Sequence, residues 1–160
     1  METYRLKIKD LQALKEEIEG LKQEGKKIVF TNGCFDILHP GHTRYLSSAR
    51  ECGDYLVVAV NSDRSVKMIK GPERPILPQE DRAELLAALA FVDCVVIFDE
   101  EDPLKIITYL LPDVLVKGGD WEEDEIIGAD AVKAGGGEVK RISYVQGLSS
   151  TEIMNKIRIS

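Results

Sequence analysis

Cysteine is scarce in this sequence, and its spacing suits neither a cross-linked nor a zinc-bound scaffold. Cys34, Cys52 and Cys94 are odd in number, lie far apart and form no CxxC pair. A disulfide framework and a zinc ribbon are therefore not suggested, and Cys52 and Cys94 read as small apolar residues in or near the core. Long hydrophobic runs are missing too. The longest, Tyr55 to Val60 and Val114 to Val116, suit single strands and are far too short to span a bilayer. The stretch from Met1 to Glu19 is charged and lacks the apolar segment of a secretory signal. A cytoplasmic location without a membrane partner is expected. Positive charge is not in excess either: the net charge is −7, which argues against a surface built to coat nucleic acid. A few local lysines and arginines can still hold a small phosphate whatever the global sign.

What is present is an ordinary globular mixture, 44% hydrophobic and 31% charged over 160 residues, without repeats, low-complexity tracts or linkers. One domain over 1–160 is expected, with 1–25 as an N-terminal helical extension. Leu11, Leu14, Ile18 and Leu21 recur at helical spacing. That stripe must cover either its own sheet or a second subunit, and a homodimer is expected.

Strands are read at Ile28 to Thr31, Tyr55 to Val60, Cys94 to Phe98, Val114 to Val116 and Glu138 to Ile142. Helices are read after His39, over Glu80 to Ala90, from Asp102 (cap) and Pro103 (first position), over 129–134 and over Thr151 to Ile157. The segment Lys67 to Pro78, with three prolines and a glycine, reads as a long functional loop. Apolar strands alternating with helices predict an α/β fold: a Rossmann-like, doubly wound parallel sheet of about five strands with helices on both faces.

In such a sheet ligands bind beyond the carboxyl ends of the strands, and the unusual residues cluster there. Asn32, Gly33, Cys34, Phe35 and Asp36 follow the first strand and lead into His39-Pro40-Gly41-His42, which holds both histidines of the chain. Pro40 suits the first helical position, and Gly41 clears side-chain bulk from the helix start. A phosphate could approach the N–H groups there, favoured by the helix dipole, with both histidines as donors. The alternative is a capping His39 and a solvent-facing His42. Their charge state is open, since the dipole disfavours imidazolium and a bound polyphosphate favours it. Asn61 and Asp63 follow the second strand, and Lys117, Gly118 and Asp120 the fourth. Ser149-Ser150-Thr151 precede the last helix, where one hydroxyl suffices for a cap and three stand in a row. Lys67, Lys70 and Arg74 supply cations that either hold phosphate or form a solvated basic loop. Arg82 sits in an acidic helix start, either binding phosphate or paired with Glu80 or Asp81. Trp121 either stacks on a ligand or packs at an interface.

The pattern Gly33-x-Phe35-Asp36-x-x-His39-x-Gly41-His42, with Ser149-Ser150-Thr151 before the last helix, resembles the HxGH nucleotidylyltransferase superfamily. Five blocks narrow the resemblance: Thr31 to Asp36, Val60 to Asp63, Lys70-Gly71-Pro72, Arg74-Pro75-Ile76 and Val116 to Asp120. Together they are similar to the adenylyltransferases that act on D-glycero-β-D-manno-heptose 1-phosphate, over about Leu11 to Ile157.

The resemblance implies transfer of AMP from ATP to the sugar phosphate by direct attack, giving ADP-heptose and pyrophosphate. It implies His39, His42 and Lys70 as catalytic residues. The nucleotide would be bound by Asn32 to Asp36, Gly41, Lys117, Gly118 and 149–151, and the substrate by Asn61, Asp63, Lys67, Arg74, Arg82 and Asp120. Mg²⁺ is expected with ATP, Asp36 being the nearest carboxylate, through water. The sequence departs from the superfamily at Cys34, where Thr or Ser is common, and at Met154, where a basic residue is common. Alternatives are another transferase of the superfamily, such as a glycerol-3-phosphate or ethanolamine-phosphate cytidylyltransferase or a heptose-phosphate guanylyltransferase, and a non-catalytic nucleotide-binding module. A redox dinucleotide enzyme is disfavoured, because the first turn lacks GxGxxG.

Overall fold

The computed structural model describes residues 2–119, 121–143 and 147–160. Its chain order is α1 (Leu11–Gln23), β1 (Ile28–Gly33), α2 (Pro40–Arg50), β2 (Tyr55–Asn61), α3 (Asp63–Lys70), α4 (Gln79–Ala87), β3 (Cys94–Phe98), α5 (Leu104–Leu110), β4 (Val114–Gly118), α6 (Ala129–Ala134), β5 (Glu138–Ile142) and α7 (Ser150–Ile159). The five strands form one sheet in the order β3-β2-β1-β4-β5, and every pairing is parallel. Parallel neighbours need crossovers, so the helices lie on the two faces. Order reverses between β1 and β4, and the carboxyl ends of those strands open the crevice where a doubly wound sheet takes its ligand.

Side-chain alternation along the strands sorts the core into two layers. Ile28, Phe30, Val57, Ala59 and Leu115 pack with Leu14 and Ile18 of α1, Ile106, Ile107 and Leu110 of α5, and Ala129 and Val132 of α6. Val29, Leu56, Val58, Val60, Val114 and Val116 pack on the other face with Tyr45, Leu46 and Ala49 of α2 and Ala83, Leu86 and Ala87 of α4. Strands covered on both faces account for their unbroken apolar runs.

Three expectations are revised. The helix read as an extension is part of the core: Leu14 is fully buried and Ile18 nearly so. Its apolar stripe covers its own sheet, which removes the feature that pointed to a homodimer. Ahead of it, Ile8 bridges Val95 and the Lys9 N–H donates to the Val95 carbonyl at 2.9 Å, closing the β3 edge.

Lys67 and Lys70 belong to a helix, not a loop. Ser62 caps α3 through the Ser65 N–H, Val66 is buried under it, and Gly71 ends it at φ 97°. The prolines begin only at Pro72, and only 71–78 is non-helical before α4. Finally, Pro103 sits one position earlier than expected, at the cap of α5, while the Asp102 side chain accepts the Leu104 N–H at 2.9 Å.

Among the described residues no helix is long and apolar enough to cross a membrane.

Candidate active site

A cavity of about 640 Å³ opens at the carboxyl edge of the sheet, over the switch point. It brings together Asn32, Gly33, Cys34, Phe35 and Asp36 after β1, His39, Gly41 and His42 at α2, Asn61 after β2, and Lys70 at the end of α3. Lys117 and Gly118 of β4 and Ser149, Ser150 and Thr151 at α7 complete it. Asp63, Lys67, Arg74 and Arg82 do not line it, and Asp120 lies outside the described residues.

The start of α2 is closed by its own histidines. His39 is the N-cap, its Nδ1 accepting the Gly41 N–H at 3.1 Å. His42 Nδ1 accepts the His39 N–H at 3.4 Å, and the His42 N–H donates to the His39 carbonyl at 2.9 Å. The bare amides expected here are therefore engaged. A capping His39 and a cavity-facing His39 prove to be one residue, because an Nδ1 that accepts leaves the neutral ring's proton on Nε2 as a donor.

The two imidazoles stack, with centroids 3.8 Å apart, and Phe35 meets His42 edge-on at 5.3 Å. Burial lowers the His39 pKa. Burial, then the neighbouring His39 and Lys70, take His42 down to about 4, against a raising contact from the Ile37 carbonyl. Both rings are neutral at neutral pH before a polyanion arrives. The exposed amide is on α7 instead: Ser149 caps the Glu152 N–H at 3.1 Å, Ser150 Oγ donates to the Ile37 carbonyl at 3.2 Å, and the Thr151 N–H meets no acceptor among the described residues.

Asp36 and Arg82 build the walls. Asp36 is 1% exposed and accepts from Ile76 N–H, Leu77 N–H and Arg74 Nε. Burial opposes its charge, but the Leu77 and Ile76 amides and the Arg74 guanidinium outweigh it and hold the carboxyl below its usual range. Its oxygens are thus committed to the turn at 74–77, and no group of three His, Cys, Asp or Glu side chains among the described residues could hold a metal.

Arg82 is fully buried and donates to the carbonyls of Leu77, Cys34 and Asn61 and to Asp63 Oδ1, all within 3.0 Å. It clamps the ends of β1 and β2 together; its ion pair is with Asp63, not with Glu80 or Asp81.

Burial pushes the Cys34 thiol up, against Lys70, Arg82 and Arg74, so it is not an activated nucleophile. Burial lowers Lys117, whose Nζ lies 5.8 Å from the Trp121 ring centre. A desolvated ammonium without a carboxylate partner among the described residues suits an anionic ligand. Arg158 pairs with Glu73 at 3.1 Å and does not line the cavity.

The cavity also takes residues that sequence reading did not single out as functional. Tyr45, read as a core residue, bonds Thr31 at 2.6 Å and the Val116 carbonyl at 3.2 Å, tying β1 to β4 beneath the cavity. Ile69, Glu101, Asp102, Pro103, Ile127 and Leu148 line it as well. Their signal was available only as position: most follow a strand or flank a helix on the carboxyl side.

The protein-family model described as cytidylyltransferase-like matches residues 30–156. The chain belongs to that family. It is therefore a nucleotidyltransferase, and the cytidylyltransferase-like match spans β1 through α7, with both histidines and the three hydroxyls inside it.

Among curated proteins it is similar to the bifunctional protein HldE of Geotalea uraniireducens, 52% identical over 152 residues, and to that of Campylobacter concisus, 56% identical over 149. These matches cover 95% and 92% of this chain but 31% of each relative, so the chain spans about a third of their length. A lipopolysaccharide core biosynthesis protein from Thermoplasma volcanium superposes with a TM-score of 0.62 at 33% identity, over 76% of this chain and 98% of that one. A pantoate-beta-alanine ligase from Francisella tularensis shares the fold, with a TM-score of 0.60 at 17% identity over 95% of this chain and 77% of that one.

Proposed function

We propose that this cytidylyltransferase-like chain transfers AMP from ATP to D-glycero-β-D-manno-heptose 1-phosphate. The observation that carries the reading is the convergence of two neutral imidazoles, Lys117, Lys70 and the opening of α7 on one cavity. Such a set recognises phosphates and offers no activated protein nucleophile. Similarity to HldE proteins and to a lipopolysaccharide core biosynthesis protein supports a sugar phosphate as the acceptor.

The chemistry is a direct displacement. An oxygen of the acceptor phosphate attacks the α-phosphorus of ATP, a P–O bond forms, and the bond from that phosphorus to the bridging oxygen breaks. Its electron pair leaves with pyrophosphate. The protein's work is positioning and electrostatic stabilisation. His39 and His42 donate to the α-phosphate and the departing group, the α7 opening and Lys117 hold the phosphate chain, and Lys70 brings the acceptor phosphate alongside. Bound as its magnesium complex, ATP would bring its own charge neutralisation, with no resident metal ligand required of the chain.

The test is pyrophosphate release over a grid of ATP, CTP and GTP against heptose 1-phosphate, glycerol 3-phosphate and ethanolamine phosphate. Turnover confined to ATP with the heptose supports the reading. Preference for CTP with either small acceptor, or for GTP with the heptose, replaces it.

A further inference from the structure

Beneath the cavity β1 and β4 diverge. Their backbone register runs only from Val29–Val114 to Phe30–Leu115, although β1 stays paired with β2 as far as Gly33 and β4 with β5 as far as Gly118. The sheet therefore forks just before Thr31 and Val116, at the switch point that floors the crevice.

One side chain reaches both prongs. The Tyr45 hydroxyl lies 2.6 Å from Thr31 Oγ1 and donates to the Val116 carbonyl at 3.2 Å. The phenol's single proton goes to that carbonyl, which can only accept, so the Thr31 hydroxyl donates to the phenol oxygen. Thr31 and Val116 are fully buried and Tyr45 is 8% exposed, so both bonds are sheltered from solvent. What lies on either side gives this rung its importance. Tyr45 stands three residues beyond His42 on α2, one turn along the same face. Val116 immediately precedes Lys117 on β4. The imidazoles on the β1–α2 side and the ammonium on β4 share no backbone ladder at their own level, and Thr31–Tyr45–Val116 is a side-chain path that joins them.

We propose that Tyr45 is a positioning residue: its hydroxyl supplies the missing rung between β1 and β4 and so fixes the spacing of His39 and His42 from Lys117 to suit one triphosphate. This rests on the reading of those three residues as the phosphate grip, and not on which base or acceptor is used. The ring packs in the core layer with Leu46, Val58 and Val116 and holds α2 whether or not the hydroxyl is present. A fork left free to widen still binds ATP through the groups within reach but presents its α-phosphorus poorly, so the loss falls on the chemical step.

Steady-state kinetics of Tyr45→Phe, Thr31→Val, Thr31→Ser and the Tyr45→Phe/Thr31→Val double variant test it, with urea unfolding to show that each is folded. ATP and heptose 1-phosphate are used first. A wild type inactive with that pair refutes the substrate reading alone, and the series is then run with the nucleotide and acceptor that the wild type does use; a wild type that uses none overturns both. In Tyr45→Phe and Thr31→Val kcat is expected to fall about tenfold to a hundredfold, with KM for ATP within about twofold of the wild type. The double variant should be no slower than the slower single, because both remove one tie, and Thr31→Ser, which keeps the donor, should recover most of the rate. A folded Tyr45→Phe with a lowered unfolding midpoint and wild-type kcat would make the bond a stabilising contact only and overturn the inference. A raised KM for ATP at unchanged kcat, or losses that multiply in the double variant, would overturn it as well.

Discussion

The His39 ring lies over the backbone of Gly41, so close that a Cβ at position 41 would come within 2.8 Å of His39 Cε1 and 3.2 Å of Leu148 Cβ. The glycine is therefore a requirement of the histidine's pose, and it also lets the loop before α7 approach α2. Gly41→Ala should leave the sheet intact while turning the ring and spreading the two helix starts. Since misplacement by about 1 Å can cost about a hundredfold in rate, kcat/KM should fall about a hundredfold with little change in the unfolding midpoint. Steady-state kinetics beside urea unfolding check both halves.

Arg82 is a clamp whose removal strands three carbonyls and the Asp63 carboxylate. Arg82→Met keeps much of the volume but none of the donors. Because the Asp63 side chain is 36% exposed, the loss comes mainly from the stranded carbonyls, about 1–3 kcal/mol for a buried acceptor left unsatisfied, and equilibrium urea denaturation should show a loss of at least that order. A variant as stable as the wild type would contradict the clamp.

Asp36 anchors the turn that carries Arg74, Ile76 and Leu77. Asp36→Asn replaces one acceptor oxygen by a donor facing these groups and leaves the buried guanidinium uncompensated. Stability should drop by about 3 kcal/mol, while the magnesium concentration for half-maximal rate stays where it was. A selective shift in the magnesium requirement would make Asp36 a metal-side residue instead.

Acid should weaken the fold in two windows. The folded-state pKa values of His39 and His42 lie below the unfolded value, so the unfolded chain binds more protons as pH falls below about 6.5, and stability is lost progressively towards pH 4, where His42 itself titrates. Asp36 is also depressed, so its contribution is present above the usual carboxylate range and goes only below it. In urea midpoints measured from pH 7 to pH 4.5, His42→Gln should lose less than the wild type. Parallel curves would contradict the burial of that imidazole.

Much of this was readable in the sequence, and the reason is local. Four of the five strands announced themselves as apolar runs bounded by turn residues, β5 being mostly charged, and Pro40 and Gly41 marked the start of α2 within a few residues of both histidines. What escaped depends on partners far along the chain. Asp36 meets Arg74 across 38 residues and Arg82 meets Cys34 across 48, and no periodicity reveals such pairs. The helix α3 was hidden by the prolines just beyond it, although Ser62 and Val66 already supplied its cap and its buried contact. The N–H groups expected to be bare at α2 were closed by the same histidines that marked the site, a geometry that only side-chain placement discloses.

The central claim is that His39 and His42 hold the α-phosphate while an acceptor oxygen displaces pyrophosphate. Single-turnover AMP transfer from ATP, compared among the wild type, His39→Ala and His42→Ala with each variant shown to be folded, tests it most directly. Loss of one donor to the developing charge should slow the chemical step about a hundredfold to a thousandfold in each. Transfer at the wild-type rate in either folded variant would contradict the account.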